Sequence, residues 1–482
     1  MDELTPKFIS YQLYLLQLEN YQLGRYFRLL WSRGFFPSKH RPQRKELVWS
    51  VKAKAVLAMA VALHGLIVIL VGQSYLWQGF GFDNAITAMV LVGLILLPCY
   101  FLLFSFSLLI IMPLDVLAKN RLTRLAKKKL AGMESLKIIA IAGSYGKTTM
   151  KEVLGQVLGI RYKVLRTPDS INTPVGVARW ILNKVDDSTE IAIVEMGEHY
   201  RGDIEELCGI AKPDIAVVTG INESHFERMK SLDNIIATVF EVVSGAKAGA
   251  VIVLNGDDKN VTENYKKFVW PDHKVIEYKV ESIKYKEFNT ETLAWEFEIN
   301  EIGKLELKLL GEYALGDVDA AIKIGKLLGM SNEQLRQGFE NIKPIQHRLQ
   351  PILSSQNVLI IDDAYNGNPD GAAEAIKVLS RFTNRRKLYI TPGLVETGKA
   401  APEVHRQIGR QLAQAADVVI LIRNSVTPFI AEGMKSANQR ISESASQIIW
   451  FDTAQEAHSE LKNILKPNDV IVFQNDWGDQ YL

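Results

Sequence analysis

The sequence predicts an α/β fold in which two consecutive α/β domains follow an α-helical transmembrane hairpin. Three observations lead to this prediction. Two long runs without charged residues lie near the N-terminus, and a glycine-rich turn near residue 145 joins an apolar strand to an amphipathic helix. From there towards the C-terminus, apolar β-branched runs alternate with helical segments, as in parallel sheets covered by helices.

Length and composition exclude several classes of protein. The 482 residues have room for about three domains of ordinary size. The 56 Lys and Arg residues nearly balance the 54 Asp and Glu residues, so the overall charge gives no reason to expect nucleic acid as a partner. Cys99 and Cys208 lie in very different surroundings, which argues against a disulfide framework and a cysteine metal site.

Residues 1–50 are expected to form a juxtamembrane, amphipathic helical segment. Between Phe8 and Trp31, Leu, Tyr and Phe recur at roughly helical spacing together with Arg25 and Arg28. Such a helix either lies in the membrane interface or docks on a soluble domain, and the sequence leaves both arrangements open.

Residues 51–115 are expected to form the hairpin. The run from Ala55 to Leu76 has no Asp, Glu, Lys or Arg and is long enough to cross the ~30 Å apolar core of a bilayer. A second span is expected over about residues 85–112, ending at Pro113. The alternative is a buried helix of a globular domain, which is disfavoured because such helices rarely stay uncharged for so long.

Basic residues on both sides of the hairpin set its expected orientation. They are Arg41, Arg44, Lys45, Lys52 and Lys54 before the first span, and Lys119, Arg121, Arg124 and Lys127 to Lys129 after the second. Lys- and Arg-rich flanks stay in the cytoplasm. We therefore expect a multi-pass protein of the cytoplasmic (inner) membrane, without a cleaved signal, whose termini and α/β domains are cytoplasmic. Residues 116–135 are expected to be a basic linker.

The segment KIIAIAGSYGKTTMKEVLGQVL predicts a phosphate-binding loop. Strand Ile138 to Ala142 leads into the loop, and an amphipathic helix starts near Lys147. Backbone N–H groups at a helix N-terminus surround phosphate oxygens, Lys147 reaches the β- and γ-phosphates, and the Thr148 hydroxyl suits Mg²⁺. The expected ligands are therefore ATP and Mg²⁺, held by Gly143, Ser144, Tyr145, Gly146, Lys147, Thr148 and Thr149.

Two polar residues follow neighbouring strands of the predicted parallel sheet. Glu195 ends the apolar run that starts at Ile191, and His225 follows the run from Asp214 to Gly220. Ligands of open α/β sheets bind at the carboxyl ends of the strands. Thr148, Glu195 and His225 are therefore the predicted Mg²⁺ ligands.

Six ordered segments then carry a resemblance to a known family. They are AGSYGKTTMKE from Ala142, NTPVGVA from Asn172, VEMGEHYRGDI from Val194, VTGINESHFE from Val218, HRLQP from His347 and IIDDAYNGNPDG from Ile360. With them the sequence resembles the Mur ligase family, the ATP-dependent amide-forming enzymes of cell-wall precursor synthesis. It is most similar to the MurF branch, which adds D-alanyl-D-alanine. The resemblance covers roughly residues 136 to 470.

The resemblance implies a central P-loop ATP-binding domain, residues 136–343, and a C-terminal Rossmann-like domain, residues 344–482. Apolar strands that alternate with helices support the second domain independently; they are Val358 to Ile361, Lys387 to Ile390, Val418 to Ile422 and Val470 to Phe473. The alternating stretch from Val275 to Leu310 is expected to form an antiparallel extension of the central domain.

The resemblance also implies a chemistry and the residues that perform it. Lys147, Glu195, His225 and Arg348 would be catalytic, while Asp317, Arg348, Asp363 and Asn366 would join the loop residues around the nucleotide. The γ-phosphate would convert a carboxylate into an acyl phosphate, which an amine then attacks to give an amide. The implied partners are a UDP- or lipid-linked muramyl peptide and an amino acid or dipeptide donor.

Several positions depart from the MurF pattern. Val239 stands where a lysine bridges a second metal, so the number of Mg²⁺ ions stays open, and Asp317 replaces an asparagine at the adenine. Gln474 to Asp476 replace Lys-Gly-Ser, and Thr391 to Gly398 replace a GDM-type sequence. These last two changes lie in the half that selects the amino substrate. The identity of the amine therefore stays open.

The hairpin stands where soluble family members carry a UDP-sugar-binding domain. A ligase tethered at the bilayer gains a high effective concentration of a lipid-linked precursor, which suggests such a substrate. The alternative is a hairpin that only anchors the enzyme. Two alternative functions also stay open, a non-catalytic nucleotide-binding membrane scaffold and a folylpolyglutamate-synthase-like ligase, which shares the ATPase core.

Overall fold

The computed structural model describes residues 6–37, 47–168, 171–198, 200–223, 229–354, 356–365, 367–395, 397–438 and 446–475. These residues form two compact units, one extending to Arg121 and the other starting at Leu122.

The first unit is helical. Its helices are α1 Lys7–Leu18, α2 Leu23–Arg33, α3 Val51–Trp77, α4 Phe82–Leu96 and the first part of α5 Tyr100–Ala131. The single helix expected between Phe8 and Trp31 is divided, because Asn20 and Tyr21 have left-handed backbone angles. Leu13 and Leu16 of α1 pack in one buried cluster with Ala53 of α3 and Phe104 of α5. Helix α1 therefore docks on the apolar helices of its own unit.

The second apolar run differs from its prediction. The sequence predicts one span over about residues 85–112, whereas the structure has a break between α4 and α5 at Leu97 to Cys99. Pro98 lies in this break, and proline lacks the N–H that would continue the helix. Pro113, the predicted end, lies inside α5. The predicted basic linker is helical as far as Ala131, because Lys, Arg, Leu and Ala are good helix formers.

Helices α3 and α5 are long and apolar enough to cross a membrane, by length and composition. Only 22% and 28% of their most apolar windows are buried inside the protein. The Lys52 Nζ, at the start of α3, lies 2.9 Å from Oδ2 of Asp115 in α5. The start of α3 therefore lies beside the middle of α5.

The second unit begins with a parallel sheet covered by helices. Its elements are β1 Lys137–Ala142, α6 Lys147–Leu158, β2 Val164–Arg166, α7 Pro174–Lys184, β3 Ile191–Glu195, α8 Asp203–Ile210, β4 Ile215–Val218, α9 Leu232–Val239, α10 Glu241–Ser244, β5 Val251–Asn255, α11 Lys259–Asn264 and β6 Lys274–Tyr278. Among the described residues the strand order is β2-β3-β1-β4-β5-β6. Strands β1, β3 and β4 are buried on nearly every residue, as expected for a sheet covered on both faces.

A small antiparallel sheet and two helices complete the first α/β domain of this unit. They are β7 Lys284–Asn289, β8 Ala294–Ile299, β9 Gly303–Leu307, α12 Ala314–Leu327 and α13 Asn332–Glu340. The antiparallel extension starts later than predicted, because Val275 to Tyr278 pair in parallel with β5. Alternation of apolar and polar residues does not by itself distinguish the two kinds of pairing.

The second α/β domain is built on another sheet. Its elements are β10 Gln350–Leu353, β11 Leu359–Asp363, α14 Pro369–Ser380, β12 Lys387–Thr391, α15 Ala401–Ala415, β13 Val418–Ile422, α16 Thr427–Asn438, β14 Gln447–Phe451, α17 Ala454–Ile464 and β15 Val470–Gln474. The order is β10-β11-β15-β12-β13-β14, with β10 antiparallel at one edge. The last strand therefore lies between β11 and β12, and the carboxyl ends of these three strands meet.

Candidate functional site

A cavity of about 770 Å³ lies where the two α/β domains of the second unit meet. We call it the cleft. The first domain lines it with Ser144 to Thr149, Asn172, Glu195, Gly197, Glu198 and Tyr313; the second domain lines it with Gln346 to Arg348, Asp363, Tyr365, Gly367, Asn368, Asp370, Gly371, Ala373, Glu374, Lys377 and Gln411. It opens at the carboxyl ends of β1, β3 and β11, where ligands of α/β sheets bind.

The predicted phosphate loop forms one wall of the cleft. Gly143 and Gly146 have positive φ angles of 149° and 80°. A Cβ atom on Gly143 would clash with the Thr219 hydroxyl, so this turn requires glycine. Helix α6 starts immediately after Gly146 and directs its unpaired N–H groups to the loop, which is the usual site for phosphate anions.

Lys147 is paired with a carboxylate that no sequence pattern singled out. Its Nζ donates to both carboxylate oxygens of Glu198, at 3.0 and 2.9 Å, and to the Gly143 carbonyl. The Glu198 side chain is only 2% exposed. Its position three residues after Glu195, in the loop that follows β3, is the only signal in the sequence. Phosphate oxygens would have to compete with Glu198 for this lysine.

Two of the three predicted Mg²⁺ ligands lie together. The Thr148 hydroxyl donates to Glu195 Oε2 at 3.2 Å, at the start of α6 and the end of β3. Mg²⁺ prefers oxygen ligands and keeps several waters and phosphate oxygens, so this oxygen pair fits the ion. His225, the third predicted ligand, lies outside the described residues. Within the part of the chain that the structure describes, no three His, Cys, Asp or Glu side chains form a metal cluster.

Arg348 reaches the loop from the other side of the cleft. Its Nη2 donates to the Thr148 hydroxyl at 3.3 Å, and its Nη1 donates to the Tyr365 carbonyl at 2.8 Å. The guanidinium also lies over the Tyr365 ring, 4.9 Å from the centroid. His347 beside it has a positive φ of 56° and bonds Asp362 through Nδ1 at 2.7 Å. These contacts hold a cation opposite the phosphate loop.

Asp363 ends β11 and lines the cleft near Arg348. Burial raises the pKa of its carboxyl to about 7, although the Arg348 charge acts in the opposite direction. The Leu349 N–H donates to this carboxylate at 3.3 Å. Asn366, the other predicted nucleotide contact of this segment, lies outside the described residues.

Asp317 does not line the cleft. It lies in α12 with 5% of its surface exposed, and burial raises its pKa well above the usual range. Its Oδ2 is buried and has no hydrogen-bond partner among the described residues. Tyr313, one turn earlier, does line the cleft and was not singled out from the sequence.

Gln474 and Asn475, which depart from the MurF pattern, hold a loop. The Thr391 hydroxyl donates to Gln474 Oε1 at 2.8 Å, and Asn475 Nδ2 donates to the Gly393 carbonyl at 2.6 Å. The Leu394 N–H donates to His405 Nε2 at 2.9 Å. None of these residues lines the cleft as the structure describes it. The Gln474 and Asn475 side chains therefore stabilise the turn that begins at Thr391.

Besides the Arg348 bond to Thr148, further polar contacts join the α/β domains. Asn222 Nδ2 donates to Asp370 Oδ2 at 2.6 Å and to Asn368 Oδ1 at 3.2 Å, at the start of α14. Glu312 pairs with Lys286 in its own domain, with Lys377 of α14 and with Arg381, which directly follows that helix, at 2.9, 2.7 and 3.1 Å. Hydrogen bonds of Asn222 and ion pairs of Glu312 therefore hold the two α/β domains together beside the phosphate loop.

Comparisons with known proteins agree with this architecture. The family model of the Mur ligase middle domain matches residues 141–325, and the model described as Mur ligase, glutamate ligase domain, matches residues 347–474. The chain is 28% identical over 371 residues to the UDP-N-acetylmuramoyl-tripeptide–D-alanyl-D-alanine ligase of Bacillus subtilis, covering 75% of this chain and 78% of that one.

Two further comparisons give the same result. The enzyme of the same name from Borreliella burgdorferi is 28% identical over 293 residues, covering 60% of this chain and 62% of that relative, which is less than two thirds of its length. The crystal structure of MurF ligase from Thermotoga maritima in complex with ADP superposes with a TM-score of 0.65 at 25% identity, covering 74% of this chain and 80% of that one.

Proposed function

Because this chain belongs to the Mur ligase family, we propose that it is an ATP- and Mg²⁺-dependent ligase that joins a carboxylate of a cell-wall precursor peptide to an amine. One observation carries the proposal. Lys147, Thr148 and Glu195 of one α/β domain and Arg348 and Asp363 of the other surround a single cleft.

The proposed reaction needs positioning and charge neutralisation more than side-chain chemistry. The acceptor carboxylate attacks the γ-phosphorus of ATP, ADP leaves, and the donor amine then displaces phosphate from the acyl phosphate to form the amide. Thr148 and Glu195 would hold Mg²⁺, which would neutralise part of the phosphate charge. Lys147 and Arg348 place fixed positive charges on both sides of the transferred group.

Closure of the cleft protects the acyl phosphate from water. The Asn222 bonds to Asn368 and Asp370 close the side of the loop that follows β4. On the side of the phosphate loop, Arg348 closes the cleft by donating a hydrogen bond to the Thr148 hydroxyl. Exclusion of water favours attack by the amine over hydrolysis.

The acceptor in this proposal is a muramyl peptide, as the names of the relatives indicate for those enzymes. The donor is an amino acid or dipeptide. D-alanyl-D-alanine is one candidate among others, because Gln474 and Asn475 occupy positions that differ from the MurF pattern and bind the end of β12 and the loop that follows it.

The proposal places this active site on the cytoplasmic face of the inner membrane. Large apolar side chains are exposed along α3 to α5, among them Val61, Leu66, Ile69, Leu70, Leu91, Leu94, Ile95, Phe106, Leu109 and Ile110. Soluble proteins rarely expose so much contiguous apolar surface. A lipid-linked muramyl peptide, confined to the same plane, is then the acceptor that tethering favours most.

ADP release tests the proposal. The detergent-purified full chain is mixed with ATP, Mg²⁺ and either UDP-linked or lipid-linked muramyl peptide, each with and without an amino donor, and the product mass is determined. We expect ADP release that requires both acceptor and donor, and more with the lipid-linked acceptor. Equal turnover with the UDP-linked acceptor would reduce the hairpin to an anchor.

A second function is favoured by one contact. Glu198 forms an ion pair with Lys147, the lysine that would otherwise bind the phosphates. A nucleotide-binding scaffold without turnover would tolerate such a pair. Nucleotide binding without ADP release under any substrate combination would support this alternative.

A further inference from the structure

A fully buried lysine lies beside the proposed metal site, and the proposed chemistry gives it no role. Lys151 follows Lys147 by one turn of α6, and its side chain is 0% exposed. A buried ammonium is costly unless it is paired with an acid and hydrogen-bonded. The partners of Lys151 therefore indicate its role.

Of the two acidic side chains that the described residues place beside Lys151, Glu195 is the nearer. The Lys151 Nζ lies 3.1 Å from Glu195 Oε2 and 3.8 Å from Glu152 Oε1. Glu152 has a closer cation, since the Arg166 Nε lies 2.8 Å from its Oε2. The charge of Glu152 is thus largely met by Arg166, and the shorter contact of Lys151 is with Glu195.

The same oxygen of Glu195 contacts two side chains of α6. Its Oε2 accepts from the Thr148 hydroxyl at 3.2 Å and lies against Lys151. Within the described part of the chain, Oε1 accepts no hydrogen bond, and Glu195 lines the cleft. Holding one carboxylate oxygen fixes the rotation of the group and leaves the other oxygen for a cation.

We propose that Lys151 is a positioning residue for the Mg²⁺ site, which it serves by fixing the carboxylate of Glu195. The proposal rests on the proposed function, which places Mg²⁺ and nucleotide in the cleft. Partners that orient a metal ligand typically change metal affinity by 10- to 100-fold when they are removed. The loop itself binds phosphates through backbone N–H groups and Lys147, so binding of metal-free nucleotide does not depend on Lys151.

Calorimetric titration with ADP tests this role without relying on turnover. The detergent-purified full chain is titrated with ADP in excess Mg²⁺ and again in EDTA, and the ratio of the two dissociation constants is the Mg²⁺-linked gain. Lys151→Met is expected to lower this gain at least tenfold. Its affinity for ADP in EDTA should stay within about twofold of the wild type.

Arg166→Met is the matched control, because it removes a neighbouring cation that is paired with Glu152 and does not contact Glu195. It should keep the full gain. A full gain in Lys151→Met, or equal losses of affinity with and without Mg²⁺, would overturn the positioning role.

Folding of the variants is checked by thermal unfolding before titration. If Lys151→Met does not fold, Lys151→Arg keeps the charge but moves the donor, and it is expected to lower the gain at least about threefold. An unchanged gain in Lys151→Arg would overturn the proposal. A wild-type protein without any Mg²⁺-linked gain would overturn the proposed metal site itself, and the role of Lys151 with it.

Discussion

At the scale of single residues, Glu198 is the side chain that most directly opposes nucleotide binding. Its carboxylate bonds the Lys147 Nζ with both oxygens and would repel the phosphates that replace it. Glu198→Gln is therefore expected to tighten ADP binding about 5- to 10-fold, as measured by calorimetry.

Glu205→Gln is the control for this prediction, because Glu205 is an exposed glutamate of α8 that does not line the cleft. It should leave the affinity unchanged. Weaker ADP binding in Glu198→Gln would instead assign Glu198 a favourable part in the nucleotide site.

Asp363 makes the free energy of unfolding of the protein depend on pH. Its folded pKa of about 7 lies above the ordinary value of 3.8, so the unfolded chain loses the proton first as pH rises. The stability is therefore highest below the unfolded pKa and falls as pH rises towards about 7. Asp363→Asn removes this loss. The free energy of unfolding of Asp363→Asn should exceed that of the wild type by near zero at pH 4 and by about 2–4 kcal/mol above pH 7.

Thermal unfolding of both proteins over this pH range measures the effect. A constant difference between wild type and Asp363→Asn at all pH values would show that the carboxyl titrates normally.

Residue patterns predict part of the site. The phosphate loop and the strand-end rule bring Lys147, Thr148 and Glu195 to notice from local sequence, and all three line the cleft. Lys151 and Glu198 were missed because their importance comes from burial and from ion pairs between α6 and the end of β3 or the loop after it. Neither property is visible along the chain.

At the scale of elements, α14 of the second α/β domain contacts the first domain through the ion pair of Lys377 with Glu312. Burial alone would raise the pKa of Glu312, but hydrogen bonds and charges from Lys377 and Lys286 lower it to about 2. A lowered folded pKa gives stability that is present above about pH 4.5 and is lost as pH falls towards 2. Glu312→Gln is expected to cost about 1–3 kcal/mol at pH 7 and little at pH 2.

Denaturant unfolding at the two pH values checks this interface. Glu301→Gln is the comparison, since Glu301 is exposed and pairs with Lys326 in its own domain. It should change the stability little at either pH. An equally small effect of Glu312→Gln at pH 7 would mean that the interface does not depend on this carboxylate.

The elements also show where sequence reasoning stops. Apolar periodicity predicts that the buried strands exist, but the position of β15 between β11 and β12 depends on long-range pairing. The break at Pro98 was missed because the surrounding residues are uniformly apolar and favour one long span. The helix ends there because Pro98 has no N–H to continue the hydrogen bonding. Pro113, by contrast, lies inside α5.

At the scale of the whole molecule, the proposed membrane topology predicts a labelling pattern. Trp77, at the end of α3, is 92% exposed, and Lys137 starts β1 in the second unit. In a background with both natural cysteines replaced by serine, Trp77→Cys should react with a membrane-impermeant maleimide in intact cells. Lys137→Cys should react only after permeabilisation.

Labelling of both positions in intact cells would contradict the orientation. Labelling of neither would contradict exposure of the α3–α4 turn outside the membrane. Carbonate extraction of the same variants adds an independent check, because spanning helices stay in the membrane pellet.

The central claim is that this chain uses ATP to form an amide bond on a muramyl peptide. The measurement that tests it most directly is ADP release combined with product mass, with wild type and Lys147→Ala compared in the presence of lipid-linked muramyl peptide and an amino donor. We expect one ADP for each amide formed by the wild type and none by Lys147→Ala. ADP release without an amide product, or undiminished turnover in Lys147→Ala, would contradict it.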